Sequence, residues 1–242
     1  MRSLAPLLLA PFRARKQRDS QRRFYSRFVS PGDLVFDVGA NVGDRTAVFA
    51  SLGARVVAVE PQEDCISKLS RRFRERQGVT VVPSGLAAQE GIQELYVSSL
   101  HPLSTMTPAF MDATRRSGRF VSVEWAEVRT VPVTTLDRLI EQYGKPSFCK
   151  IDVEGYEAEV LRGLTWPLQL LSIEFVCEQL EATEEAVSYI ERLGSFEFNY
   201  SIGESMELAE AKWMTGAAML EALTAACLGD GLVWGDVYAR SS

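Results

Sequence analysis

Residues 33–50 read DLVFDVGANVGDRTAVFA. An apolar run of strand type ends in the turn Gly39-Ala40-Asn41-Val42-Gly43, and a helical segment follows from Asp44. Glycine permits a positive φ and a close approach of backbone to ligand. The free N–H groups of a helix N-terminus favour an anion. The turn is not the G-x-G-x-x-G that serves a dinucleotide pyrophosphate. A smaller anion, such as an amino acid carboxylate, suits it better. Asp37, at the strand's end, can accept hydrogen bonds from an amino group or hold the loop.

Working outward, residues 54–60 (ARVVAVE) read as a second buried strand, 61–76 as a helix and 79–83 (VTVVP) as a third strand. Strands alternating with helices at this interval argue for βαβ units and a parallel sheet. The rhythm then changes. Residues 92–98 and 121–133 alternate like antiparallel strands, and residues 98–120 between them have mixed polarity. These features predict a hairpin-like excursion with a long functional loop. Beyond it come a helix over 134–144, a fourth core strand over 148–153 and a helix over 155–164. A strand over 168–176, a helix over 181–193 and a strand over 196–201 follow. A weakly amphipathic helix over 212–227 and a last edge strand over 232–238 complete the chain. The expectation is an α/β fold, with a basic helical arm over residues 1–30 and one domain over 31–242.

The chain's 242 residues, 46% of them hydrophobic, suffice for one substantial core. No apolar run approaches the ~20 residues that cross a bilayer. Residues 4–12 are apolar but lead into RARKQR, which argues against a signal peptide. The four cysteines, Cys65, Cys149, Cys177 and Cys227, form no C-x-x-C pair. That spacing argues against a zinc site or disulfide scaffold and for a reducing, cytoplasmic setting. The net charge of −6 conceals an asymmetry: residues 1–30 carry +7 and the remainder −13. An acidic body makes nucleic acid a poor partner. The basic arm either lies solvated against that body or makes weak peripheral contact with an anionic membrane.

Two acidic positions stand out. Glu60 ends the second strand, about 20 residues after the glycine turn, where dinucleotide folds place a carboxylate to accept hydrogen bonds from a ribose diol. Asp152, Glu154 and Gly155 lie at the end of the fourth core strand, in FCKIDVEGYEAE. Ligands of open α/β sheets gather at that edge. If the strand continues that far, both carboxylates point to one side. Asp152 is then a candidate base or a group that orients a hydroxyl; Glu154 shares that site or caps the next helix. His101 is the only histidine and a second candidate base. One histidine and no G-x-S-x-G argue against a Ser-His-Asp hydrolase. With no histidine near the two acids, no metal is expected. Phe110, Met111 and Met106 offer apolar wall for a pocket, and Arg115, Arg116 and Arg119 are available to an acidic substrate.

VFDVGANVGDRT, AVEP at 58–61, VTTLDRL and KIDVEGYEAEVLRGL, in this order over residues 30–180, resemble the FkbM-type family of S-adenosylmethionine-dependent methyltransferases. The resemblance implies a class I methyltransferase fold: a Rossmann-like, three-layer, seven-stranded sheet in the order 3-2-1-4-5-7-6 with its last strand antiparallel. It implies S-adenosyl-L-methionine as cofactor, held by Asp37, Gly39, Ala40, Asn41, Gly43 and Asp44 at the methionine end. Glu60 would hold the ribose and Ser84, Gly85 and Leu86 would flank the adenine, with Pro61 and Asp152 among the cofactor-binding positions. It implies O-methylation of a small hydroxylated acceptor such as a sugar, polyketide or lipid head group. Two rivals stand beside it. One is a nicotinamide-dependent oxidoreductase on a related sheet; the other is a protein that binds the cofactor without turnover.

Overall fold

The structure, a computed structural model, describes the backbone of residues 5–242 and the side chains of residues 15–242 apart from His101. The strands are β1 (Leu34–Val38), β2 (Arg55–Val59), β3 (Val79–Val82), β4 (Gly85–Leu86), β5 (Gly91–Val97), β6 (Glu127–Thr134), β7 (Phe148–Ile151), β8 (Leu170–Val176), β9 (Phe196–Ile202) and β10 (Trp234–Ser241). Seven of them form one sheet in the order β3-β2-β1-β7-β8-β10-β9. β10 runs antiparallel to both neighbours; the other pairs are parallel. Counting only these seven in chain order gives 3-2-1-4-5-7-6, the order the family resemblance implies. β4, β5 and β6 make a separate three-stranded sheet, in which β5 and β6 pair antiparallel.

The helices are α1 (Ala5–Tyr25), α2 (Asp44–Ser51), α3 (Glu63–Phe73), α4 (Pro108–Ser117), α5 (Leu136–Tyr143), α6 (Glu157–Arg162), α7 (Leu180–Leu193) and α8 (Gly216–Gly229). The two-residue period of the strands sorts side chains between two cores. Phe36, Val38, Val57, Val59, Ile151 and Ile173 pack into the core that also takes in residues of α5, α6, α7 and α8. Val35, Val56, Phe148 and Tyr238 point the other way, against α1 and α2. The end of α1 is built into that second core: Phe24 and Tyr25 are buried and make edge contacts with Tyr238 and Phe49. This face also receives polar groups, because Asp37, Lys150 and Asp236 fall on the same phase of their strands. Asp37 is register partner of Lys150, and Asp236 of Glu174.

Several expectations need correction. β7 stops at Ile151, so Asp152 and Glu154 are not on a strand. β10 is interior, bonded on both sides, and β9 is the edge; a short mixed strand at the C-terminus carries no sign of its neighbours. The 98–120 segment holds a helix, α4, capped by Thr107, opened by Pro108 and stopped by Gly118 at φ 77°. Those three residues are ordinary helix punctuation. Residues 121–126 are turn and coil, and β6 begins only at Glu127. Cys177 and Cys227 form a disulfide across 50 residues of sequence, with their Cα atoms 5.5 Å apart, while Cys65 and Cys149 are free and buried. Local cysteine spacing is blind to such a pair, which strand order brings together. The disulfide removes the cysteine argument for a reducing compartment. Among the described residues, no helix is long and apolar enough to cross a membrane.

Candidate active site

The chain winds outward from β1 to β3, then crosses back to begin again at β7 beside β1. Ligands of open α/β sheets bind at such a reversal. The loops after β1 and β7 touch there. Asp152 N donates to Val38 O at 3.1 Å, and Gly39 N and Ala40 N both donate to Val59 O at 3.0 Å. Gly39 has φ 78°, and a Cβ on it would stand 1.8 Å from the carbonyl oxygen of Asp152. Only glycine fits both that dihedral and that approach. Each loop also holds a non-glycine residue with positive φ, Asn41 at 49° and Glu154 at 56°. Such strain gathers where a surrounding framework enforces it, commonly at ligand sites.

A cavity of about 550 Å³ opens over these loops, within the range of small-molecule sites. Asp37, Gly39, Ala40, Asn41 and Asp44 line it, as do Glu60, Pro61, Ser84, Gly85, Leu86, Asp152 and Glu154. Gly43 is not in that lining. A Cβ there would meet Phe73 at 2.6 Å and Leu69 at 2.7 Å, so this glycine lets α2 pack on α3. The His101 side chain lies outside the described residues. Pro102, Ser104 and Met106, which follow it, are on the wall.

Glu60 is 2% exposed. Its two oxygens accept from Asn41 N and Gln62 N, each at 2.8 Å. Burial pushes its carboxyl up to about 7 against these two bonds and a third from the Gln62 side chain. A carboxylate offers about four lone-pair sites, so room for one further donor remains. Asp37 is buried, accepts from the Thr46 hydroxyl, and is likewise raised by burial.

Beyond the glycine turn lies a cluster of three carboxyls, Asp152, Glu154 and Glu174, with oxygens within 4.8 Å of one another. Lys150, 1% exposed, holds it from beneath: Nζ is 2.6 Å from Asp152 and 3.7 Å from Asp236. Burial drives the Asp152 carboxyl up, but the Lys150 ammonium more than offsets it, and Asp152 ends below the usual carboxylate range. Glu174 and Glu154 are pushed well above that range, by burial first and the Asp152 charge next. Within the cluster Asp152 is therefore the carboxyl that ionises first, and Glu154 and Glu174 hold their protons to higher pH than it does. Glu157, not Glu154, caps this turn, accepting from Val153 N at 2.9 Å and Gly155 N at 3.4 Å.

The excursion folds over the cavity. Thr105 Oγ1 donates to the Glu154 carbonyl at 2.7 Å, and Ser104 Oγ to Gln62 Oε1 at 3.0 Å. Of the apolar residues expected at the pocket, Met106 reaches the wall, whereas Phe110 and Met111 pack with Val123 and Trp125 in a core of their own. Arg119 pairs with Glu178 at 2.7 Å and Arg115 lies over Trp125, so neither faces the cavity. Sequence reasoning missed Lys150, Glu174 and Arg45. Lys150 carries a signal, a lysine inside an apolar strand two residues before an acid. Glu174 sits in β8 with none.

Residues 37–202 match the family described as Methyltransferase FkbM domain, more than half of the chain. The chain belongs to that family. Its FkbM domain is similar to two curated proteins. It is 33% identical over 154 residues to the hexuronic acid methyltransferase AglP of Haloferax volcanii, covering 62% of this chain and 56% of that one. It is 29% identical over 155 residues to methyltransferase sdnD of Sordaria araneosa, covering 54% and 60%. The chain therefore spans little more than half the length of these relatives. Among solved structures, precorrin-6y C5,15-methyltransferase from Geobacter metallireducens GS-15 superposes with a TM-score of 0.50 at 11% identity, covering 92% of this chain and 87% of that one. This likeness supports the class I methyltransferase fold. Membership sets aside the nicotinamide expectation and brings S-adenosyl-L-methionine as the family's cofactor. The FkbM domain's cavity fits it: a glycine turn packed on the Asp152 loop, a buried carboxyl at Glu60 with room for a further donor, and an acidic wall suited to a positive sulfur.

Proposed function

We propose that this chain transfers a methyl group to a hydroxyl of a small acceptor, with an acidic sugar the preferred class. The observation that supports the reading is the contact between the glycine turn and the Asp152 loop, which brings Gly39, Glu60 and Asp152 onto the wall of one cavity. Asp37, Gly39, Asn41 and Asp44 would hold the amino acid end of the cofactor, Glu60 the ribose, and Ser84 to Leu86 the adenine. Bound there, S-adenosyl-L-methionine supplies an electrophilic methyl on a cationic sulfur.

The chain's own residues then position the acceptor. Asp152 accepts a hydrogen bond from the acceptor hydroxyl, fixes the oxygen's direction and receives its proton. A carboxylate held ionised is a modest base, so most of the rate comes from orientation, which can supply ~7–11 kcal/mol. Glu174 steadies the Asp152 charge through a side-chain hydrogen bond. Thr105, Ser104 and Met106 of the excursion narrow the cavity. The hexuronic acid specificity of AglP favours sugars carrying a carboxylate. Incubation with the cofactor and a panel of uronic acids, neutral hexoses and phenols, read as S-adenosylhomocysteine release, tests the proposal. Methylation of uronic acids supports it. Cofactor binding without release on any acceptor would return the non-catalytic alternative.

A further inference from the structure

The inward face of α1 is not a plain packing surface. Gln17, Arg18, Gln21, Phe24 and Tyr25 recur at three- and four-residue intervals and share one side of the helix. Phe24 and Tyr25 enter the core, and Gln21 is 4% exposed. One turn earlier, Gln17 and Arg18 stand on the cavity wall. Across from them Arg45, in the first turn of α2, donates through Nη2 to Glu204 Oε1 at 2.5 Å. Gln21 Nε2 donates to the other oxygen of Glu204 at 3.3 Å. The Nε of Arg45 is buried with no hydrogen-bond partner. A buried guanidinium N–H without an acceptor is unfavourable until something satisfies it. Apart from these two arginines, the charged residues of the wall are acids: Asp37, Asp44, Glu60, Asp152, Glu154 and Glu204.

We infer that α1 and the start of α2 form a carboxylate-binding subsite of the cavity, with Arg45 and Arg18 as its cations. The planar fork of arginine matches a carboxylate, and the N-terminus of α2 adds free N–H groups on the same side. The basic arm is then a functional wall rather than a solvated appendage. Two sources offer this chemistry, the amino acid end of the cofactor and the carboxylate of an acidic sugar. The inference rests on the methyltransferase reading for both.

Calorimetry on the full chain tests it, with S-adenosylhomocysteine and with 5′-methylthioadenosine, which keeps the adenosine thioether but lacks the amino acid end. The variants are Arg18→Ala, at an exposed position, and Arg45→Lys, which keeps the charge and loses the fork. If the cofactor is the source, each variant binds S-adenosylhomocysteine about tenfold or more weaker and methylthioadenosine unchanged. If the acceptor is the source, both nucleosides bind as before, while KM for a uronic acid rises about tenfold and KM for the matching neutral hexose does not. Unchanged values for all four ligands in both variants overturn the subsite and leave the methyltransferase reading intact. Failure of the unaltered protein to bind S-adenosylhomocysteine overturns that reading, and the inference with it.

Discussion

Lys150 Nζ lies 2.6 Å from Asp152 Oδ2, on a side chain only 2% exposed. Its other neighbour is Asp236, 3.7 Å away on β10. A buried ammonium is unfavourable by itself, and burial pulls Lys150 down; the two aspartates more than offset this and raise it well above its ordinary value. Lys150 therefore stays charged across the physiological range and favours ionisation of Asp152 over its neighbours in the carboxyl cluster.

Replacing Lys150 by Met should destabilise the fold by about 3–5 kcal/mol, because removing one partner leaves the other charges buried. Urea unfolding measures this. The sign with pH follows from the directions of the shifts. Asp152 is lowered, so its contribution is present above the unfolded value of 3.8 and lost as pH falls through the lower folded value. In Lys150→Met that lowering is gone, and acid unfolding should begin at higher pH than in the unaltered protein. An identical acid midpoint would mean that Lys150 does not hold Asp152.

Glu60 titrates at about 7 in the folded protein, above its ordinary value of 4.5. Between those values the folded state holds more protons than the unfolded one, so this group makes the cofactor-free protein less stable as pH rises from 4.5 to 7. The effect is up to roughly 3 kcal/mol at ~1.4 kcal/mol per pH unit. A ribose diol needs the ionised acceptor, so S-adenosylhomocysteine affinity should rise with pH through about 7, with proton release on binding below that pH. Calorimetry in buffers of different ionisation enthalpy reads both. Glu60→Ala should weaken binding about tenfold or more and flatten the pH dependence.

How much of this was legible in the sequence depends on whether the controlling contact is local. The glycine turn after β1, the acid after β2 and the acids after β7 declare themselves by strand ends and turn residues. Their convergence follows from parallel topology alone. Lys150, Glu174 and Asp236 form one buried group through three different strands, and only sheet order puts them side by side. The Cys177–Cys227 pair was hidden because it joins the turn after β8 to helix α8, elements 50 residues apart. Helix α4 was legible in Thr107, Pro108 and Gly118, but mixed polarity drew attention away from its caps. The described basic residues of the arm are exposed, as a solvated face expects, but a count of charges gives no sign that Phe24 and Tyr25 on the other face enter the core.

The disulfide ties the segment after β8 to α8 across 50 residues. Loop-closure entropy for that span puts its contribution at about 4 kcal/mol. Reduction, or Cys227→Ser, should lower the thermal midpoint clearly, as calorimetry in the presence and absence of reductant would show. It should also loosen the neighbouring Arg119–Glu178 pair, which anchors the segment after α4. Hydrogen exchange localised to residues 108–123 is the check on that second effect. Exchange unchanged there would separate the disulfide from the covering segment.

The carboxyl cluster permits a prediction in which two similar substitutions differ. Glu174 is raised by burial and the Asp152 charge, and lowers the Asp152 carboxyl through a side-chain hydrogen bond. Glu174→Gln keeps a donor of nearly the same shape, so turnover at pH 7 should change less than about threefold, or about 0.7 kcal/mol. Asp152→Asn removes the one carboxylate able to take the acceptor's proton and sets an amide N–H against Lys150. Loss of a general base costs ~10²–10⁴ in rate, so kcat should fall at least a hundredfold while S-adenosylhomocysteine affinity changes little. The pH profile separates this from a structural defect. Glu174→Gln should lose the activity change that accompanies deprotonation of the acid pair at high pH, and Asp152→Asn should lose the acidic limb. Equal losses of turnover in both variants would make the cluster a structural unit and move the proton acceptor elsewhere in the cavity.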